Sequence, residues 1–346
     1  MILVQYNNGL SAPYVTVVVP TLAADSIYRE CLAGLEAQQF RDFECVLVDN
    51  SGEDRVRRAG VAAPWLRVIP EDRNVGFGAA VNDAVRGSNA AFIATLNDDA
   101  VPSPRWLGAL VEAMEKDPGV GMCASRITLS GEDRLDSAGM LLCGDGSSKQ
   151  RGHLAPPGEF RALEEVFFPS ACAALYRRSM LDETGCFDES FFLYCEDTDL
   201  GLRARWAGWK CLFVPEAEVE HRYSHSAGRA SALKAYLVER NRISVAVKNL
   251  PLAMLWRAPF VCSARYFWHV LYLLGRQGTA GAYRRGGGSG AALALHVARA
   301  HLAALRRLPR LLAARAEIRR RARISADEFV RLARRHAISA RQVAAL

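Results

Sequence analysis

The chain has 346 residues, half of them apolar, which supplies ample core material and excludes a disordered chain. Its net charge of +7 hides a division: residues 222–346 carry 24 Lys and Arg against 4 Asp and Glu, a surplus of 20, whereas residues 1–221 carry 20 against 33, a deficit of 13. The length allows one large domain or two, and the split points to a basic tail with an anionic partner, nucleic acid or lipid head groups.

Met1-Ile-Leu-Val-Gln-Tyr-Asn7 lacks the basic stretch and apolar length of a signal peptide, so none is expected. Val15–Val19, a β-branched run ending at Pro20-Thr21, predicts a buried strand. Asp25 or Ser26 is expected to cap a helix whose apolar face is Ile27, Cys31, Leu32 and Leu35. Phe43–Val48, closed by Asp49-Asn-Ser-Gly52, and Leu66–Ile69 predict the next strands. A glycine-rich turn and a helix over Ala79–Val85 follow. Ala91–Leu96 is the fourth strand. Ser103-Pro104 opens a helix with Leu107, Leu110, Val111 and Met114 on one face, stopped by Asp117-Pro-Gly119, and Val120–Ile127 is the fifth strand. Short strands buried on both faces and separated by helices make a doubly wound, largely parallel sheet, whose ligands sit at the carboxyl ends of the strands. Asp49, Arg73-Asn74 and Asp98-Asp99 fall at such ends and should converge.

Residues 128–168, rich in Gly, Ser and Pro, predict a hairpin and a mobile loop over the site. Ala171–Tyr176 and Cys211–Val214 are expected as strands flanking an acidic segment. Beyond about Tyr223 the pattern turns helical and Arg-rich, with a flexible break at Gly286–Gly290 and basic amphipathic helices over Leu295–Leu346. Pro251–Leu274 is interrupted by Arg257, Pro259, Arg265 and His269, which argues against a spanning helix and leaves an interfacial one. Nine cysteines without a Cys-x-x-Cys pair read as reduced, mostly buried thiols of a cytosolic protein.

Phe187-Asp-Glu-Ser-Phe-Phe-Leu-Tyr-Cys-Glu-Asp-Thr-Asp199 packs five carboxylates among aromatics. Acids in an apolar setting are costly unless paired, metal-bound or used as a base. An aromatic surround raises a carboxylate toward the pKa of a useful base, and either Glu196 or Asp197 suits that role. Asp199 and Arg203, four apart on a helix, can pair with each other. The oxygen ligands of Leu96-Asn-Asp-Asp99 suit Mg2+ or Mn2+. Asp49 can accept hydrogen bonds from a nucleobase or cap its own turn. Arg73-Asn-Val-Gly-Phe-Gly78 lets backbone approach a diphosphate. Trp206, Trp209 and Tyr223 read as core in preference to sugar platforms, and His225 stands close behind His221.

Val17-Val-Val-Pro-Thr21, Val48-Asp-Asn-Ser51, Arg73-Asn-Val-Gly-Phe-Gly78 with Asn82, Leu96-Asn-Asp-Asp99, Gly185 through Leu200, Ala207-Gly-Trp209 and Arg240-Asn241 occur in an order that resembles family 2 inverting glycosyltransferases. They look most like the bacterial rhamnosyltransferase-type members that build cell-surface polysaccharide. The likeness covers roughly residues 14–248. It implies an α/β, GT-A-like doubly wound fold with a mostly parallel central sheet and helices on both faces. The catalytic domain would span residues 1–248, and residues 249–346 would form a basic helical C-terminal region. It further implies a nucleoside-diphosphate sugar donor, dTDP- or UDP-linked, held by Pro20, Thr21, Asp49, Asn50, Ser51, Arg73, Asn74, Gly76, Phe77, Asn82, Asn97 and Asp98. By the same resemblance Asp99 and His221 bind Mn2+ or Mg2+, and Asp197, with Glu196 beside it, is the base. Relatives commonly carry Pro where Asp98 stands, which leaves open which carboxylate is the ligand. The implied acceptor is a glycan on a polyprenyl lipid, at the inner face of the cell membrane. The basic tail fits an anionic membrane surface, a homo-oligomer contact or plain solvation, and no nucleic-acid motif accompanies it. A sugar nucleotidyltransferase would need a Gly-rich, Lys-bearing loop after the first strand, and Pro20–Asp25 has neither. Intact Asp99 and Asp197 argue against a non-catalytic nucleotide-sugar-binding scaffold.

Overall fold

A computed structural model describes residues 12–222, 231–275, 278, 281, 283 and 289–346; Met1–Asn7, Tyr223, His225 and Gly286–Gly288 lie outside the described residues. Strands β1 (Val15–Thr21), β2 (Phe43–Asp49), β3 (Leu66–Pro70) and β4 (Phe92–Leu96) match the expected runs to within two residues. After the short β5 (Ala100–Pro102) come β6 (Val120–Leu129), β7 (Leu135–Ser137), β8 (Met140–Leu142), β9 (Ser148–Gln150), β10 (Glu164–Glu165), β11 (Ala173–Arg177) and β12 (Lys210–His221).

Ten of these strands form one sheet among the described residues, with the path β10-β12-β6-β11-β4-β1-β2-β3. β3, β2, β1 and β4 pair in parallel, β11 runs against both β4 and β6, and β12 is parallel to β6. Six of the eight strands on the path therefore point one way, a mixed but mostly parallel sheet. The chain winds from β1 out to β3 and returns to β4 on the other side of β1. The carboxyl ends of β1 and β4 thus form the switch-point crevice where α/β ligands bind.

Residue alternation divides the core. Val15, Val17 and Val19 of β1 face the layer of α1 (Tyr28–Glu36), with Cys31 and Leu35. Val18, Val46 and Val48 face the layer with Ala80 and Val81, on a helix at Phe77–Arg86. The first helix departs from expectation at its start: Ile27 is the N-cap, and Asp25 accepts the Ile27 N–H at 2.9 Å, one step outside the helix. A short helix α2 (Arg55–Arg58) precedes that at Phe77–Arg86, which is α3. Trp106–Glu115 is α4, Arg178–Thr184 is α5 and Glu196–Trp206 is α6.

β12 runs well past the expected Val214, through a bulge between Val214 and Glu218. From Glu216 onward acids point out while Ala217, Val219 and His221 point in, a period-two pattern that the Pro215 break disguised. The 128–168 segment is a β8–β9 hairpin with flanking short strands.

The C-terminal region is helical: α7 (Ala232–Asn249), α8 (Leu252–Leu255), α9 (Ala258–Leu274), α10 (Gly290–Arg306), α11 (Leu308–Arg320), α12 (Ala326–Arg335) and α13 (Ala340–Ala345). It packs against the sheet domain. Phe329 stacks on Trp206 with ring centroids 4.4 Å apart, and Arg315 donates to the Val247 and Leu250 carbonyls at the end of α7. Arg265 of α9 binds Asp145 at 2.7 Å and Glu239 at 2.8 Å, a buried pairing that fastens α9 to α7 and to the β8–β9 hairpin. The outer face of α8–α9 is apolar and exposed, from Trp256 (79%) and Phe260 (77%) to Leu274 (67%). No helix among the described residues is long and apolar enough to cross a membrane.

Candidate active site

A cavity of about 410 Å³ opens at the carboxyl ends of β1 and β4. Its first wall is the turn after β1, where the Thr21 hydroxyl donates to Asp98 at 2.6 Å across the crevice. Asn50 joins it from the end of β2, donating its amide to Asn74 and accepting the Val75 N–H at 2.8 Å. Gly76 and Phe77 complete this wall at the start of α3. Gly76 has φ +89°, and a Cβ there would lie 2.2 Å from the Phe192 carbonyl, so only glycine lets α3 approach the opposite wall.

Asp98 and Asp99 end β4 on the cavity floor. Burial, with Asp99 alongside, pushes Asp98 up to about 6 against the pull of the Thr21 hydroxyl. His221, arriving at the end of β12, lies between two carboxylates: Nε2 is 3.2 Å from Asp99 and Nδ1 is 2.8 Å from Asp136. Burial disfavours its imidazolium, yet Cys172, Asp136 and Asp99 together raise its pKa well above the usual histidine value. The same geometry suits a cation. With the Nδ1 proton held by Asp136, the Nε2 lone pair and the Asp99 carboxylate face the same space, the carboxylate–histidine arrangement that orients metal-binding imidazoles. Among the described residues no three His, Cys, Asp or Glu side chains form a complete metal cluster. Such a partial donor set fits Mg2+ or Mn2+, which take one or two protein carboxylates and fill the remainder with phosphate oxygens and water.

The facing wall is the turn that delivers α6. Phe192, Tyr194 and Cys195 all have left-handed backbone, with φ of 66°, 70° and 67°. Asn241, fully buried on α7, donates to the carbonyls of Phe191, Leu193 and Tyr194, while Arg240 holds Phe191 and Ser190. Thus Arg240-Asn241 clamps the turn. Glu196 and Asp197 emerge from it into the cavity. Asp197 accepts the Thr198 N–H at 2.6 Å and the Ala171 N–H at 3.4 Å. Glu196 Oε2 is buried with no hydrogen-bond partner among the described residues. Burial and the Asp197 charge push Glu196 up to about 8. Burial also raises Asp197, but the Thr198 and Ala171 amides oppose the rise. Between the two, the amides favour a carboxylate at Asp197 and burial favours the proton on Glu196. Behind them Asp199 is consumed structurally, bound by Arg203 at 2.9 Å, Lys248 and Asn249.

Pro20, Thr21, Asn50, Asn74, Gly76, Phe77, Asn97, Asp98, Asp99, Glu196, Asp197 and His221 line this one cavity. Asp49, Ser51, Arg73 and Asn82 do not. Asp49 is fully buried, its oxygens accepting the Ser51 and Val56 N–H groups, so it holds the turn beneath Asn50. Ser51 accepts the Glu53 N–H, Arg73 is exposed, and Asn82 ties α3 to Phe187 and Glu189. Of the aromatics, Trp206 is buried core, as expected, and Trp209 is half-buried with its N–H on Glu183. Asp136, Ser148, Lys149, Gln150 and Lys234 line the cavity without having been foreseen. Asp136 and Ser148–Gln150 are on strands three residues long, too short for a periodic signal, Lys234 is in the first turn of α7, and only tertiary contact brings them together.

A family model described as Glycosyl transferase family 2 matches residues 16–185. The N-acetylglucosaminyl-diphospho-decaprenol L-rhamnosyltransferase of Mycobacterium tuberculosis is 31% identical over 246 residues, covering 64% of this chain and 80% of its own. The O-antigen biosynthesis protein RfbC of Myxococcus xanthus is 26% identical over 235 residues, covering 64% of this chain and 18% of its own. The crystal structure of GalNAc-T7 with UDP, GalNAc and Mn2+ superposes with a TM-score of 0.55 at 16% identity, over 68% of this chain and 48% of that one. This chain therefore spans about half of GalNAc-T7, and the likeness speaks for the fold alone.

Proposed function

The chain belongs to glycosyl transferase family 2 and is a glycosyltransferase, and from that premise we propose that it moves a hexose, L-rhamnose in first place, from a dTDP- or UDP-linked donor to a hydroxyl of a glycan carried on a polyprenyl lipid. Transfer proceeds with inversion. That the mycobacterial relative is an N-acetylglucosaminyl-diphospho-decaprenol L-rhamnosyltransferase supports the sugar and the lipid carrier. One observation carries the reading: a single cavity at the β1–β4 switch point holds both the Asp98–Asp99 pair and the Glu196–Asp197 pair.

Asp99 and His221 would hold Mn2+ or Mg2+, and when bound the metal neutralises charge on the departing diphosphate. Thr21 and Asn50 position the nucleotide side of the donor. Asp197, whose carboxylate form the Thr198 and Ala171 amides favour, takes the proton of the acceptor hydroxyl as that oxygen attacks the anomeric carbon opposite the leaving group. The exposed apolar face of α8–α9 and the surplus of basic residues support peripheral attachment to the cytoplasmic face of the membrane, where such an acceptor lies.

The test is a donor panel with Mn2+. The matching nucleotide sugar raises the melting temperature, and free nucleoside diphosphate accumulates only when acceptor is added. EDTA and Asp99→Ala each abolish turnover. Stabilisation by none of the nucleotide sugars, or turnover at the untreated rate in EDTA, overturns the donor or the metal reading respectively.

A further inference from the structure

The cavity contains a cation that the transfer mechanism above does not use. Lys149, on β9, lines it together with Lys234 of α7. Among the described residues no carboxylate pairs with Lys149, and the residues outside the description contain no Asp or Glu that could. Its charged neighbours are Lys234 and Arg265, and burial with these like charges lowers the Lys149 ammonium to about 8. Arg265 already has Asp145 and Glu239, and Lys234 is drawn by Asp136, so the cost of the buried charge falls on Lys149, and a bound anion would offset it. Its placement indicates which anion. The neighbouring Ser148 hydroxyl lies 2.7 Å from the Thr198 hydroxyl, which sets β9 against the start of α6, on the side of Asp197. On its other side Lys149 adds to the charges that depress His269 of α9, the helix whose outer face is apolar and exposed. Lys149 therefore lies in the cavity next to the strand residue that touches α6 and within electrostatic reach of α9.

We propose that Lys149, with Lys234 beside it, forms the subsite for the diphosphate of a lipid-linked acceptor, the sugar hydroxyl reaching Asp197 and the hydrocarbon leaving along α9. This rests on the lipid-linked acceptor of the reading above and adds the residues that recognise its phosphates.

Farnesyl diphosphate serves as the probe, with the full chain and Mn2+ present, so that nucleoside diphosphate can occupy its own site. It binds the wild type, farnesol does not, and saturating UDP or dTDP fails to displace it. Lys149→Gln weakens binding at least about tenfold, whereas Lys149→Arg retains it. The Gln variant keeps or raises its melting temperature, because it removes a buried cation that no described carboxylate pairs; a lysine that only supported the fold would show the reverse. Unchanged affinity in Lys149→Gln overturns the proposal, as does displacement by nucleoside diphosphate, which would assign Lys149 to the donor. Donor-induced stabilisation of the wild type without farnesyl diphosphate binding sinks this subsite alone. Absence of any donor-induced stabilisation sinks the donor reading beneath it.

Discussion

Glu196 and Asp197 are adjacent in sequence and share a buried setting, yet their hydrogen bonds differ, and that difference assigns their roles. Backbone amides at Thr198 and Ala171 favour the charged form of Asp197, whereas nothing among the described residues donates to Glu196 Oε2. Asp197→Asn should therefore lower kcat at least about 10²-fold, the scale of general-base removal, with donor affinity kept. Glu196→Gln should lose much less, and the opposite ranking would move the base to Glu196. A second consequence concerns stability. Glu196 is raised from 4.5 to about 8, so between those values the folded chain keeps a proton that the unfolded chain releases. Folding then weakens as pH rises through this window. Glu196→Gln removes the penalty, and its melting temperature should gain on the wild type from about pH 4.5 to pH 8 and level off above. A difference that stays constant across that series would show that Glu196 is not the proton holder.

At the scale of elements, the catalytic acids depend on a turn that local preference opposes. Three non-glycine residues with positive φ cost of order 1–3 kcal/mol each, and the surrounding structure must enforce them. Asn241 does so through three carbonyls at 3.0, 2.9 and 2.8 Å. Asn241→Ala removes the side-chain donor from the Leu193 and Tyr194 carbonyls, while the Phe191 carbonyl keeps Arg240 and the Leu193 N–H. It should destabilise by about 1–3 kcal/mol in urea unfolding and lower kcat more than the donor dissociation constant changes. Lost stability with intact kcat would show that the turn holds its shape without the clamp. The same elements explain what the sequence could disclose. Val15–Val19, Phe43–Val48 and Phe92–Leu96 are buried almost throughout on both faces, so apolar runs marked them and placed Asp98-Asp99 just past a strand end. Asp49 and Asn82 bond backbone outside the cavity lining, because short polar side chains that grip ligands grip backbone equally well, and composition does not distinguish the two. Asp136 reaches His221 across 85 residues of sequence, a contact that no local pattern announces.

Over the whole molecule, the charge division has a structural counterpart. Residues 240–316 contain thirteen Lys and Arg and no acid, and this stretch carries the exposed Trp256, Phe260, Phe267 and Leu274. These side chains recur along one side of α8–α9, a surface of rings and aliphatics that water does not favour and that a basic surround aims at anionic head groups. Deleting residues 251–346 is a poor test of that surface. It would strip Phe329 from Trp206 and remove Arg319, whose guanidinium carbon lies 3.6 Å from the Trp206 ring centre, so the remainder should aggregate. Substitutions confined to the outer face keep those contacts. The full chain should sediment with vesicles containing anionic lipid at low salt and be released as salt rises, since each suitably placed basic residue contributes about 1 kcal/mol near such a surface. Trp256→Ser, Phe260→Ser and Leu274→Ser combined should weaken this sedimentation without lowering the melting temperature. Equal, salt-insensitive binding to neutral vesicles would reject the electrostatic part. Failure to bind either vesicle, with concentration-dependent association of the wild type that the triple variant loses, would assign the face to a second copy of the chain.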